Sequence, residues 1–129
     1  MNAFLSLGRW LFAIPFAIFG LFHFLNAENM AMAVPDFLPA RVVWVYLTGA
    51  GLIAAAVSML SEKYDKLSSV LLAVMLLVFS LILHMKGAMY GATELAKSTS
   101  MGMLLKDMAL AGAAMMYAKY QAVDRSVIG

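Results

Sequence analysis

Apolar residues run along this chain in four long stretches, separated by three short polar connections. A membrane-crossing helix needs about 20 mostly apolar residues, and the stretches at 5–25, 42–60, 67–89 and 101–118 come to about that length. The first connection, "NAENMAMAVPDFLPAR", carries Pro35 and Pro39, which break helix continuity. The second, "SEKYDK", is short and mixed in charge, and the third, "YGATELAKSTS", is polar with small residues. The pattern predicts an all-α fold: a four-transmembrane-helix bundle forming a single polytopic membrane domain over residues 1–129.

Helical spacing predicts which faces turn inward. Arg9, Ala13, Phe16, Gly20 and His23 share one stripe of the first helix, and Thr48, Gly51, Ala55 and Ser58 share one of the second. Met103, Asp107, Ala111, Ala114 and Ala118 line up on the fourth. Lipid gives no hydrophobic drive for helices to associate, so close contact across small residues has to supply the attraction. Pro15 bends the first helix without breaking it, because neighbouring helices re-satisfy the freed carbonyl.

Composition agrees with this solvent. The chain is 64% hydrophobic and 12% charged, against about 45–50% and about 25% in soluble domains. A net charge of +2 with no basic run gives nucleic-acid binding no support. Without cysteine, the chain has no disulfide, thiol relay or iron–sulfur ligand of its own. Arg9 before an apolar run imitates a secretory signal, but Leu25 stands where "LNAE" would need a small residue for cleavage, so the first helix is expected to be retained. Placing the N-terminus inside puts Arg9, Lys63, Lys66, Lys119 and Arg125 on the inner face and Arg41, Lys86, Lys97 and Lys106 on the outer. The balance of five to four favours N-in and C-in by one residue.

Against this apolar background the polar residues carry the chemistry. A span beginning after Asp107 would keep only residues 108–118, too few to cross a core about 30 Å thick, so Asp107 belongs to the span. An intramembrane acid faces the bundle and finds a partner, and it marks either a proton or ligand site or a structural pair. Lys106 lies about 100° further round and snorkels to the outer interface. His23 and His84 end their helices on the same side as Asp107, and an imidazole beside a carboxylate makes a proton site. Interfacial histidines are also ordinary amphipathic anchors. Arg9 is read as an inner-face anchor, with a place inside the bundle left open. Met30, Met32, Met85, Met89, Met101, Met103 and Met108 lie in or near the outer connections. Thioethers with imidazole suit copper(I), which would use His23, His84 and Met85. Methionine is equally a gap-filling residue, and with only "MAM" and "MGM" as close pairs no metal is assigned.

The pieces "GRWLFAIPFAIFGLFHFL", "MAVPDFLPARVVWVYLTGAG" and "LLKDMALAGAAMMYA", in this order, resemble the DoxX and DoxX-like family of small four-helix integral membrane proteins. The resemblance runs from about residue 8 to 118. Family members often carry a glutamate after the glycine of the second helix where Leu52 stands here, and an Asn where His84 stands. It implies a bacterial inner-membrane protein and a fold more than an activity; some relatives are linked to thiosulfate oxidation with quinone as acceptor, or to membrane oxidoreductase assemblies.

The leading expectation is an accessory subunit of a membrane redox or respiratory assembly, not catalytic on its own. Asp107, His23 and His84 would contact quinone, with Lys106 and Lys86 at the rim. Its partners would be lipid, other membrane subunits or further copies of itself. Two alternatives stay open: a small proton- or cation-linked transporter using Asp107, and a purely structural assembly factor.

Overall fold

In the computed structural model residues 1–129 are all described, and every regular element is helical. Helix α1 (Asn2–Leu5) is a single turn leading into α2 (Gly8–Leu25). A short α3 (Ala27–Ala31) precedes the proline segment, and α4 (Arg41–Ser61) follows it. The third long element runs as α5 (Asp65–Phe79), a π-helical segment (Ser80–His84) and α6 (Met85–Tyr90). Last come α7 (Glu94–Met116) and a second π-helical segment (Tyr117–Gln121).

Three of these helical runs are long and apolar enough to cross a membrane: Asn2–Leu25, Arg41–Ser61 and Asp65–Tyr90. The last long helix has the length, at 23 residues, but its polar first turns and the Lys106–Asp107 pair leave it outside that group. It also begins earlier than its apolar pattern. Most of "YGATELAKSTS" is helical, because the Thr93 hydroxyl accepts the Ala96 N–H at 3.0 Å and caps α7 ahead of Glu94. Asp107 is therefore 13 residues beyond Glu94, about 20 Å along the helix.

The chain packs as two compact units, one made of Met1–Ser68 with Ala122–Gly129, the other of Ser69–Gln121. In the first, α2 lies against α4, and α3 packs on α4 through Ala27, Ala31 and Val45. The α2 face is the expected one: Ala13, Phe16, Gly20 and His23 are buried. The α4 face is not. Its buried stripe is Val45, Gly49, Leu52, Ala55, Ala56 and Met59, so of the predicted set only Ala55 is buried, and Gly51 is exposed. The cause is a backbone crossing at Gly20 and Gly49. A Cβ on Gly49 would lie 2.7 Å from His23 Cβ and 2.9 Å from the Gly20 carbonyl oxygen. Only glycine admits that approach, and it turns α4 by about one residue from the face on which its small residues gather.

The end of α4 turns on two non-glycine residues in left-handed conformation, Glu62 (φ 61°) and Tyr64 (φ 56°). Lys63 N–H donates to the Ser58 carbonyl at 3.2 Å, and Glu62 N–H donates to the same oxygen, closing the helix as glycine-terminated helices are closed. The C-terminal tail then locks this turn. Asp65, fully buried, accepts Val123 N–H (3.0 Å to Oδ2) and Asp124 N–H (2.8 Å to Oδ1), while Asp124 accepts Tyr64 N–H at 2.7 Å.

In the second unit α6 and the π segment pack against α7. A Cβ on Gly87 would overlap the Ser100 side chain, so glycine lets the two backbones close up. On α7 the buried positions are Leu104, Ala111 and Ala114; Met103, expected inward, is exposed, and Leu104 takes that place.

Candidate functional site

The second unit brings together two of the residues singled out from sequence. His84 Nε2 lies 3.0 Å from Asp107 Oδ2, with side chains 22% and 15% exposed. His84 closes the π segment, where the backbone widens by one residue and re-aims the side chains that follow; such segments recur at functional sites. Ser80, at the start of the segment, is buried and donates its hydroxyl to the Leu76 carbonyl at 3.0 Å. That back-bond competes with the helical ladder and favours the bend. Together with the close approach at Gly87, this sets His84 opposite Asp107.

The chemistry of the pair follows from its geometry. With a carboxylate on Nε2, that nitrogen carries the proton and donates it to Asp107, which orients the ring. In its neutral form the ring offers Nδ1 as a lone-pair acceptor, and the bond to Asp107 uses only Nε2. Leu81, Met103 and Met108, on neighbouring turns, expose apolar side chains. The dyad is thus part-exposed, with exposed apolar side chains on neighbouring turns and Lys106 next to Asp107 in the chain.

His23 is held differently. It is 7% exposed and belongs to the first unit, on α2. Its Nδ1 donates to the Phe19 carbonyl at 2.8 Å, and the ring meets Phe19 edge-on with centroids 4.8 Å apart. This is a backbone-satisfied histidine in a helix contact. Lys106 and Lys86 are exposed. Arg9 pairs with Glu62, tying the start of α2 to the end of α4. Of the copper set, His84 and Met85 are neighbours in the second unit and His23 lies in the first; no group of three or more His, Cys, Asp or Glu gathers anywhere.

Asp65 escaped the sequence reading, where it was one charge in a mixed connection. Its signal was an acid in the first turn of an apolar helix, but its partners are tail amides 58 and 59 residues away.

These features define a class: an all-helical protein with three helices suited to crossing a membrane and a histidine–aspartate pair in its second unit. The chain belongs to the family described as a domain of unknown function (DUF8561), whose model matches residues 12–118. No curated protein and no solved structure matches it.

Proposed function

We propose that this is a DoxX-like integral membrane protein of the bacterial inner membrane, serving as an accessory subunit of a redox assembly, with His84 and Asp107 holding the quinol form of a quinone. In this reading α7 and its π-helical extension make the fourth crossing of a four-helix bundle with both termini inside. The observation that carries it is the dyad: an imidazole bonded to a carboxylate through Nε2, with both side chains part-exposed. Nδ1 accepts the hydrogen bond of a quinol hydroxyl, and takes that proton when a partner subunit's redox centre oxidises the quinol. Asp107 stabilises the resulting imidazolium and keeps the ring aimed.

The test is quinone retention after purification in mild detergent, read by mass spectrometry of extracted lipids. The wild-type protein should retain quinol, recovered as quinol plus its oxidised quinone, and His84→Ala and Asp107→Asn should each lower retention about tenfold, about the worth of one hydrogen bond. No quinone on the wild type would overturn the reading. Proton flux in proteoliposomes that Asp107→Asn abolishes would replace it with the transporter.

A further inference from the structure

An apolar groove on α4 ends at a lysine that no carboxylate meets. Phe24, Ala50, Ala54, Val57, Lys63 and Tyr64 line a groove of about 640 Å³. Along α4 it extends from Ala50 to Ser61, about 16 Å at about 1.5 Å per residue. At one end Phe24 stacks on Tyr46, with ring centroids 5.4 Å apart and planes 17° from parallel, so aromatic rings stand where the groove stops. At the other end the acids are already engaged. Glu62 pairs with Arg9, while Asp65 and Asp124 accept backbone N–H groups. Lys63 forms no ion pair, and its backbone is pinned at both polar atoms: the N–H donates to the Ser58 carbonyl, and the carbonyl accepts the Ser58 hydroxyl.

We propose that this groove holds one acyl chain of an anionic phospholipid, with the phosphate on the Lys63 ammonium. Two features select this occupant. The groove is about half of a hydrocarbon core about 30 Å thick, the depth of one leaflet, whereas a helix from a second copy would need an open face through the whole core. An uncompensated ammonium at the interface complements an anionic headgroup, and a free phosphate would gain nothing from the apolar walls.

Native mass spectrometry tests this on the full chain in detergent titrated with phosphatidylglycerol or phosphatidylcholine. One phosphatidylglycerol should be retained in preference to phosphatidylcholine. Lys63→Gln should lower that preference about fivefold, and Lys63→Arg should keep it. Ala54→Leu, which fills the groove, should weaken both lipids. Circular dichroism establishes that each variant is folded, and an unfolded Lys63→Gln leaves the Lys63→Arg and Ala54→Leu results to decide. Equal retention of the two lipids by the wild type, or a preference unchanged in Lys63→Gln, would overturn the proposal. So would a dimer that Ala54→Leu converts to monomer, which would assign the groove to a second copy.

Discussion

At the scale of single residues, glycine and aspartate do the most to shape the molecule. Gly49 shows how little space decides a helix contact. Its missing Cβ is what allows α4 to meet the Gly20 carbonyl and His23. Gly49→Ala should destabilise the fold by about 1–3 kcal/mol, since both opposing atoms belong to backbone or near it and cannot swing away. Thermal unfolding in detergent measures this, with Gly51→Ala as the control. Gly51 has open space at its Cβ, and alanine there should be neutral or slightly stabilising. Both glycines stand in "TGAG", and nothing local distinguishes them. Helical spacing alone therefore points Gly51 inward, whereas the structure buries Gly49.

Among the elements, the end of α4 and the C-terminal tail form one device. Removing the Asp65 carboxylate leaves the Val123 and Asp124 amides without their acceptor, so Asp65→Ala should cost about 1–3 kcal/mol, and Asp65→Asn less. The same detergent melts measure both. Asp124 gives the device a pH dependence. The Ser126 hydroxyl, then the Tyr64 and Ser126 N–H groups, hold its carboxyl below the ordinary 3.8. A depressed folded-state value means that the stabilisation is present above the unfolded pKa and disappears as pH falls through the folded one. The tail should therefore hold at neutral pH and release only below about pH 4. The protection factor of the Tyr64 amide, with the intrinsic pH dependence of exchange divided out, follows the release, and Asp124→Asn should leave it independent of pH. A Tyr64 protection factor unchanged across that range in the wild type would refute the clasp. Helix starts belong to this scale too. Thr93 and Glu94 are a capping signal written in the sequence, ahead of the point where the apolar pattern of α7 begins.

For the whole molecule, the proposed four crossings make a prediction about sidedness. Three helices have the length and apolarity to do so. A fourth crossing through α7 places residues 92 and 127 on opposite sides, and a chain without it leaves them on one side. The absence of native cysteine makes Ala92→Cys and Val127→Cys clean reporters, both at exposed positions. With a membrane-impermeant maleimide on intact cells, Ala92→Cys should label and Val127→Cys should not. Labelling of both, or of neither, would remove the fourth crossing; the reverse pattern would invert the orientation.

By itself the sequence determined the helical class, the three long apolar runs and the inward face of α2. Each follows from composition and periodicity, which are properties of neighbours along the chain. The Arg9–Glu62 pair, the rotation of α4, the burial of Asp65 and the meeting of His84 with Asp107 were decided by tertiary structure. Each joins residues at least 23 positions apart, and each turns on a distance of a few ångströms. Apolar periodicity says which way a helix faces to within about a residue, or about 100°. That margin separates the stripe of Thr48 and Gly51 from the buried stripe of Gly49 and Leu52, and it also exceeds the tolerance of a hydrogen bond.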